Sequence, residues 1–394
     1  MNTQWKSPNT IIGSVATGNY YFDRPEIVNE IWRELEKGNY ILIAAPRRVG
    51  KTSIMRHMTD APKKGYKLIF ENIQGLKSES DFYKVLYKLI LSCLTKNKQV
   101  KNWFDTYLKT RSITEIDING SFKISHLQLD YLDEINNIIP KIEESCDTIV
   151  LLIDELPEVL HNLNKNKKKE EAISILKNLR RWRQGIEYHK LRFILAGSIG
   201  IHYVVNAIEG RTSDLNDLIK VHCHPLEAEN TNNYIDWATK NATVQYNDEL
   251  RLHLLNRIQY FVPYFFNIML DEIDKKAIKT KNPCITIQSI DNAFDLVIKN
   301  NDHFADWKKR LLDYLPKEDF RFVNEVLTYI AHKNEINIQE IFNKAQKHDK
   351  SIDYMDFIND LEQDGYIVEQ NQKYIFISPF LKEFWKRNNP IYNE

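Results

Sequence analysis

The sequence is poor in the features that mark secreted and membrane-spanning proteins. A run of about 18 apolar residues, the length that spans a bilayer, occurs nowhere in it. The opening residues MNTQWKSPNT contain no apolar core of signal-peptide length. Cysteine is scarce and forms no C-x-x-C pair, the four residues being Cys93, Cys146, Cys223 and Cys284. We therefore expect a cytoplasmic protein with reduced thiols and no membrane-spanning segment.

An excess of charge of one sign is also missing. Lys and Arg together number 54, and so do Asp and Glu, which leaves a formal net charge of zero. This balance gives no overall field that would attract nucleic acid or anionic lipid, so any such binding must be local. The apolar fraction of 43% indicates folded domains, and 394 residues exceed one ordinary core. We expect two or three domains.

The clearest motif is the stretch YILIAAPRRVGKTS, residues 40–53. An apolar strand runs into a loop that fits the phosphate-binding pattern G-x-x-x-x-G-K-[ST], except that Ala45 occupies the first glycine position. In such loops the backbone N–H groups and the start of the next helix bind phosphate. We expect Lys51 to reach the outer phosphates and the Thr52 hydroxyl to bind Mg²⁺. The predicted nucleotide-binding residues of this motif are Ala45, Pro46, Arg47, Arg48, Val49, Gly50, Lys51, Thr52 and Ser53.

Two of these residues leave alternatives open. The side chains of Arg47 and Arg48 can contact phosphate, contact a partner, or point to solvent.

A second motif, IVLLIDE at residues 149–155, complements the phosphate loop. An apolar strand that ends in a carboxylate places Asp154 at the carboxyl edge of the sheet, where it can bind Mg²⁺ together with Thr52 or through water. Glu155 is then the natural general base for the attacking water. An isolated Asp-Glu pair is often only a helix N-terminal charge, but this pair follows the strongest strand signal in the chain.

Two further residues are candidates for the chemistry. Ser198 follows the apolar strand LRFILA, so it can orient the water, touch the γ-phosphate, or cap the next helix. An arginine is often needed to neutralise charge on the transferred phosphoryl group. We favour Arg211 for this role, and the alternative candidates are Arg180, Arg181 and Arg183.

The pattern of apolar residues predicts about five buried strands that alternate with helices up to residue 224, as a three-layer α/β fold with a parallel sheet requires. A hairpin insertion is predicted near residues 114–124, where Asn119-Gly120 suits a type I′ turn. Residues 225–305 read as helices, and Pro263 is expected to start one of them. Residues 306–394 read as helices followed by a two-stranded wing.

The segments APRRVGKTS, LLIDELPEVL, LAGSIG and NDLIKVHCHPLEAENTNNYI together resemble the P-loop ATPases of the AAA+/STAND-like group of bacteria and archaea. The resemblance covers roughly residues 20–300. It implies ATP rather than GTP as the nucleotide, and the residues Thr52, Asp154 and Glu155 predict Mg²⁺ and hydrolysis. It also implies that FDRPE, which contains Arg24, lies beside the nucleotide. Pro263 would contact the adenine side, although Phe261 replaces the glycine of that family element.

With the resemblance, the predicted domains are a P-loop ATPase core at 1–224, a helical lid at 225–305, and a winged-helix domain at 306–394. The third helix of the last domain, predicted at residues 351–365, contains no Lys or Arg. Its acidic residues would repel the phosphates that a DNA-reading helix approaches. These acidic residues are Asp353, Asp356, Asp360, Glu362 and Asp364.

We therefore expect an ATP-hydrolysing switch whose winged helix docks a protein partner or the protein itself. One alternative is a nucleotide-dependent DNA-binding regulator. Another is a sensor subunit of a multi-component defence or toxin-type system.

Overall fold

The computed structural model describes residues 4–94, 101–110, 113–116, 122–124, 129–144, 147–185, 189–197, 201–210 and 212–392. The chain forms two compact units. The sheet unit comprises Arg24–Ala44 and Lys51–Cys223, and the helical unit comprises Met1–Asp23, Ala45–Gly50 and His224–Glu394. The three-domain organisation predicted from the sequence stays a prediction.

Five parallel strands form the centre of the sheet unit, in the order β2-β5-β6-β1-β7. The strands of the unit are β1 Tyr40–Ala44, β2 Tyr66–Asn72, β3 Ile113–Ile116, β4 Phe122–Ile124, β5 Thr148–Asp154, β6 Leu191–Gly197 and β7 Leu218–His222. β6 is buried along its whole length, because helices cover both faces of a parallel sheet. The predicted α/β fold with a parallel sheet is confirmed. β3 and β4 pair antiparallel, as the hairpin signal predicts, and the Asn119-Gly120 turn lies outside the described residues.

Helices connect these strands, and each helix buries apolar side chains. They are α1 Pro25–Glu36, α2 Lys51–Asp60, α3 Glu79–Leu94, α4 Lys101–Thr110, α5 Tyr131–Glu143, α6 Leu156–Lys165, α7 Lys169–Gln184 and α8 Ile201–Glu209. The order β1-α2-β2 gives the strand, loop and helix sequence that the phosphate-binding motif needs.

The helical unit contains nine α-helices among the described residues, and three short strands. The helices are α9 Ala228–Thr239, α10 Asp248–Ile258, α11 Pro263–Thr280, α12 Ile287–Lys299, α13 Ala305–Tyr314, α14 Lys317–Lys333, α15 Ile338–Lys347, α16 Tyr354–Gln363 and α17 Pro379–Asn388. The strands β8 Ile336–Asn337, β9 Ile367–Gln370 and β10 Lys373–Phe376 pair antiparallel in the order β8-β10-β9. Pro263 starts α11 as predicted, since a first-turn proline loses no intrahelical hydrogen bond.

Stacked phenylalanines form the core of the helical unit. The rings of Phe265 and Phe380 lie 4.8 Å apart and are nearly parallel, at 13°. Phe294 and Phe304 also contact Phe380. Residues of the predicted lid and of the predicted C-terminal domain therefore share one core. None of the described helices is long and apolar enough to cross a membrane.

Candidate nucleotide-binding site

The candidate site begins at the carboxyl edge of the parallel sheet. β5 ends at Asp154, which is in register with Asn72 at the end of β2. β1 ends at Ala44, directly before the phosphate loop, and Ala44 is in register with Gly197 at the end of β6. The ends of parallel strands meet at one edge, where ligands of such folds bind. The sheet thus aligns the segments that contain the two predicted motifs.

A short hydrogen bond joins the two motifs within the sheet unit. The Thr52 hydroxyl donates to Asp154 Oδ2 at 2.6 Å, and the Glu155 backbone N–H donates to Asp154 Oδ1 at 3.1 Å. Asp154 is only 1% exposed, and this burial raises the pKa of its carboxyl group above the usual range. The hydrogen bond from Thr52 and the charge of Lys51 oppose the shift. A buried carboxylate of this kind gains most from a nearby cation.

The donor set of this pair fits Mg²⁺. A hydroxyl oxygen and a carboxylate oxygen are hard ligands, and Mg²⁺ is typically bound through one or two such protein oxygens together with phosphates and water. Lys51 begins α2 and is 6% exposed, so its ammonium group is largely withdrawn from solvent beside this pair.

The phosphate loop has two backbone positions with positive φ, Arg48 at 68° and Gly50 at 103°. A Cβ atom placed on Gly50 would meet no heavy atom within 4 Å, so the described chain leaves space for a ligand to approach the backbone. Ala45 has a negative φ, which explains why alanine is tolerated in the first glycine position. Val49 is buried and anchors the loop.

The side chains of Arg47 and Arg48 contact residues of the helical unit. Arg47 Nη2 lies 3.3 Å from Asp306 Oδ2 on α13. The guanidinium carbon of Arg48 lies 4.6 Å from the centre of the Tyr264 ring on α11, which is a cation–π contact. Arg47 Nη1 and Arg48 Nε are buried and have no hydrogen-bond partner in the described part of the chain.

Glu155 occupies a strained backbone position between β5 and α6. Its φ of 63° and ψ of 30° are left-handed, a conformation that costs a non-glycine residue about 1–3 kcal/mol and is typical of functional sites. Its side chain is half-buried. No side-chain capping hydrogen bond forms at this position, and the role of Glu155 as general base stays a prediction.

The structure places the other predicted residues as follows. Arg24 is buried in the sheet unit, where its Nε lies 2.8 Å from Glu26 Oε1. Pro263 lies in the helical unit, and Ser53 is half-buried in α2. Ser198 and Arg211 lie outside the described residues.

Two alternative arginine candidates have carboxylate partners within the sheet unit. Arg180 Nη1 lies 2.6 Å from Asp214 Oδ1. Arg183 donates from Nε and Nη2 to the two carboxylate oxygens of Asp217, at 2.7 and 2.9 Å. These pairs connect α7 to the segment that precedes β7, which is a structural role.

Two residues of this edge were not singled out by sequence reasoning. Asn72 is the exposed polar residue that ends β2 in register with Asp154. The change from apolar to polar residues in YKLIFEN is the sequence feature that could have predicted its position. Gly197 ends β6, and a Cβ atom there would lie 2.4 Å from the Pro157 ring on α6. Its signal is the glycine that closes the apolar run LRFILAG.

Comparison with known proteins identifies the family and the fold. Residues 13–294 match the family described as AAA-like domain. Among solved structures, the Walker-type ATPase PABY2304 of Pyrococcus abyssi is similar, with 14% identity, a TM-score of 0.60, and coverage of 94% of this chain and 98% of that chain. The Aeropyrum pernix ORC2 protein in ADPNP-ADP complexes follows, with 11% identity, a TM-score of 0.50, and coverage of 92% and 91%. Identities this low show the fold alone.

No curated protein matches the chain in sequence. The family match spans most of the chain and includes both motifs of the site. The chain therefore belongs to the AAA-like domain family.

Proposed function

We propose that this protein binds ATP with Mg²⁺ and hydrolyses it, and that the nucleotide state controls its C-terminal region. The observation that carries the proposal is the 2.6 Å hydrogen bond between Thr52 and Asp154, which lie 102 residues apart in two separate motifs. A shared hydroxyl and carboxylate at the carboxyl edge of a parallel sheet is the arrangement that Mg-nucleotide binding requires.

Each residue has a distinct part in the proposed reaction. The loop N–H groups and Lys51 hold the phosphates, and Thr52 and Asp154 hold Mg²⁺. The metal, when bound, neutralises charge on the phosphate oxygens. Glu155 accepts the proton of the attacking water, because its carboxylate follows the metal ligand at the sheet edge. Ser198 and Arg211 stay predicted contacts of the γ-phosphate, and Arg24 and Pro263 stay predicted contacts of the nucleotide.

Adenine is the favoured base. The ORC2 protein of similar fold was solved in ADPNP-ADP complexes, and both of these ligands are adenine nucleotides. The family resemblance seen in the sequence also implies ATP.

The experiment that tests the proposal separates binding from turnover. We expect Lys51→Ala to abolish binding of a fluorescent ATP analogue. We expect Glu155→Gln to keep that binding and to lower the turnover rate about 10²- to 10⁴-fold, the usual contribution of a general base. Glu170→Gln, an exposed site on α7, is the matched control and should leave both unchanged. Full hydrolysis by Glu155→Gln would remove Glu155 from the role of base.

We also propose that α14, α15 and α16, with strands β8, β9 and β10, form a winged helix that docks a protein rather than DNA. The third helix, α16, contains no basic residue, and acidic residues occupy its length and both its caps. We expect the full-length protein with ATP to retain no labelled DNA duplex at about 0.1 M salt, because this helix would repel phosphate. Retention that weakens steeply as salt rises would instead favour the DNA-binding regulator.

A further inference from the structure

Residues from three places in the helical unit contact the phosphate loop. Asp306 on α13 pairs with Arg47, and Tyr264 on α11 stacks on Arg48. Gly365, just after α16, lies against Pro46, since a Cβ atom on Gly365 would be 2.5 Å from Pro46 Cβ. These contacts hold three successive loop residues, and the third one comes from the end of the acidic helix.

Several charged side chains surround Arg47. Its guanidinium lies near the cations Arg48 and Arg310 and near the carboxylate of Asp306. Burial and the two cations lower the pKa of Arg47, and Asp306 opposes that shift. The Arg47 Nη1 and Arg48 Nε groups stay buried without a hydrogen-bond acceptor in the described chain. The loop therefore has unused capacity for negative charge.

An anionic phosphate that reached Arg47 would compete with the Asp306 carboxylate for the same guanidinium group. The Arg47 side chain is 19% exposed and that of Asp306 is 51% exposed, so the ion pair is accessible and weak enough to be displaced. Arg48 has a left-handed backbone, which is strained for a residue other than glycine, and its guanidinium group stacks on Tyr264. The loop thus combines a strained backbone position with side-chain contacts from outside the loop.

We propose that Asp306 and Tyr264 are positioning residues that restrain the phosphate loop in a resting conformation, which nucleotide phosphates must displace. The inference rests on the proposed function and adds a regulatory contact to it. The contact between Gly365, at the end of α16, and Pro46 is part of the same restraint.

The first experiment measures the restraint in the nucleotide-free, full-length protein by amide hydrogen exchange. We expect Asp306→Asn to speed exchange in the peptide that covers residues 45–50 by about two- to fivefold, the range for an accessible ion pair. Asp313→Asn, an exposed site on the same helix, is the matched control and should leave this peptide unchanged. Equal exchange in the wild type and Asp306→Asn would overturn the proposal, whether or not the protein binds ATP.

The second experiment measures the competition with a fluorescent ATP analogue. Asp306→Asn should bind it about two- to fivefold more tightly than the wild type, because Arg47 is released. If Asp306→Asn binds the analogue no more tightly than the wild type, the resting conformation does not oppose nucleotide binding and this part of the proposal is wrong. If the wild type itself binds no nucleotide, the proposed function fails, while the exchange measurement still decides the restraint.

A glycine pair tests the third contact. Gly365→Ala should speed exchange of residues 45–50, because the added methyl group displaces Pro46. Gly65→Ala has a similar backbone cost, with φ of +85° against +76°, but a Cβ atom there meets nothing within 4 Å. It should leave the loop peptide unchanged. If both substitutions speed exchange of residues 45–50 equally, backbone strain alone explains the effect, and Gly365 has no part in restraining the loop.

Discussion

The proposed site depends most on Asp154, whose carboxyl group is buried. Two donors reach it, Thr52 and the Glu155 backbone, yet burial still raises its pKa. In the nucleotide-free protein the ionised form is therefore held at a cost that a bound cation would offset. Buried charged groups in functional sites commonly lower the free energy of unfolding of the ligand-free protein.

We expect Asp154→Asn to stabilise the nucleotide-free protein at pH 7 by about 0.5–2 kcal/mol, because it removes a buried charge. The same substitution should abolish the dependence of ATP-analogue binding on Mg²⁺. Because the folded-state pKa of Asp154 is raised, its contribution to stability is present at low pH and is lost as pH rises through that pKa. Chemical denaturation at several pH values measures this. A loss of stability at pH 7 would show that the carboxylate is compensated inside the fold.

Two substitutions of Thr52 separate the contribution of its hydroxyl group to stability from the contribution of its packing. Thr52→Val keeps the shape but removes the hydroxyl that donates to the buried Asp154 Oδ2, which we expect to cost about 1–3 kcal/mol in the free energy of unfolding. Thr52→Ser keeps the hydroxyl and should stay within about 0.5 kcal/mol of the wild type. Equal unfolding midpoints for the two variants in urea would mean that the hydrogen bond contributes little.

The junction between β6 and α6 depends on the absence of a side chain. Pro157 occupies the space that a Cβ atom on Gly197 would need, which brings α6 close to the end of the strand. The same helix begins directly after Glu155, so this packing positions the end of β5 and the start of α6 together.

We expect Gly197→Ala to destabilise the protein by about 1–3 kcal/mol, because an overpacked contact forces the helix away from the strand. The double variant with Pro157→Ala should recover most of this loss, since it removes the colliding ring. Gly13→Ala, where a Cβ atom meets nothing within 4 Å, is the control. A double-mutant cycle in urea gives the coupling energy, and a value near zero contradicts the steric explanation.

The acidic helix α16 contains a carboxyl group with an unusual titration. Burial, with the nearby charge of Asp356, raises the pKa of Asp360 to about 7. A carboxyl group whose folded-state pKa is raised stabilises the fold while it is protonated and loses this effect as pH rises through 7.

The protein should therefore be more stable at pH 5.5 than at pH 8, by an amount that Asp360→Asn reduces. Asp295→Asn, an exposed site on α12, should leave the pH dependence unchanged. Unfolding midpoints across about pH 5–8 provide the measurement. An identical pH profile for wild type and Asp360→Asn would rule this residue out as the source.

The helical unit behaves as one body in its packing. The stacked rings of Phe265 and Phe380 join α11 to α17, which are far apart in sequence. Rings from the predicted lid and from the predicted C-terminal domain therefore pack in one aromatic core.

We expect Phe380→Ala to cost about 3–5 kcal/mol, because it leaves a cavity among the aromatic rings. Leu312→Ala, whose side chain is 52% exposed on α13, should cost much less. The C-terminal helices and the predicted lid should also unfold together, which hydrogen exchange in dilute denaturant resolves. Separate unfolding of residues 225–305 and 306–394 would contradict a shared core.

Much of this protein could be read from local sequence. The five strands, Pro263 at a helix start, the helices α14, α15 and α16, and the paired strands β9 and β10 follow from apolar periodicity and turn residues, because these patterns act over a few neighbouring positions. The last helix, α17, was not predicted. The phosphate loop is readable for the same reason, since its ligands are successive backbone groups. Asp154 could be placed because a strand that ends in a carboxylate defines a sheet edge.

Contacts between distant segments could not be read in this way. Arg47 and Arg48 could equally have faced phosphate, a partner or solvent, and the fold pairs them with Asp306 and Tyr264. Gly197 is glycine because Pro157 fills its space. Local periodicity records which face of an element is buried, but it does not record which residue lies opposite. The sequence thus predicts the phosphate-binding chemistry of the loop, and the packing of the chain shows which residues contact that loop.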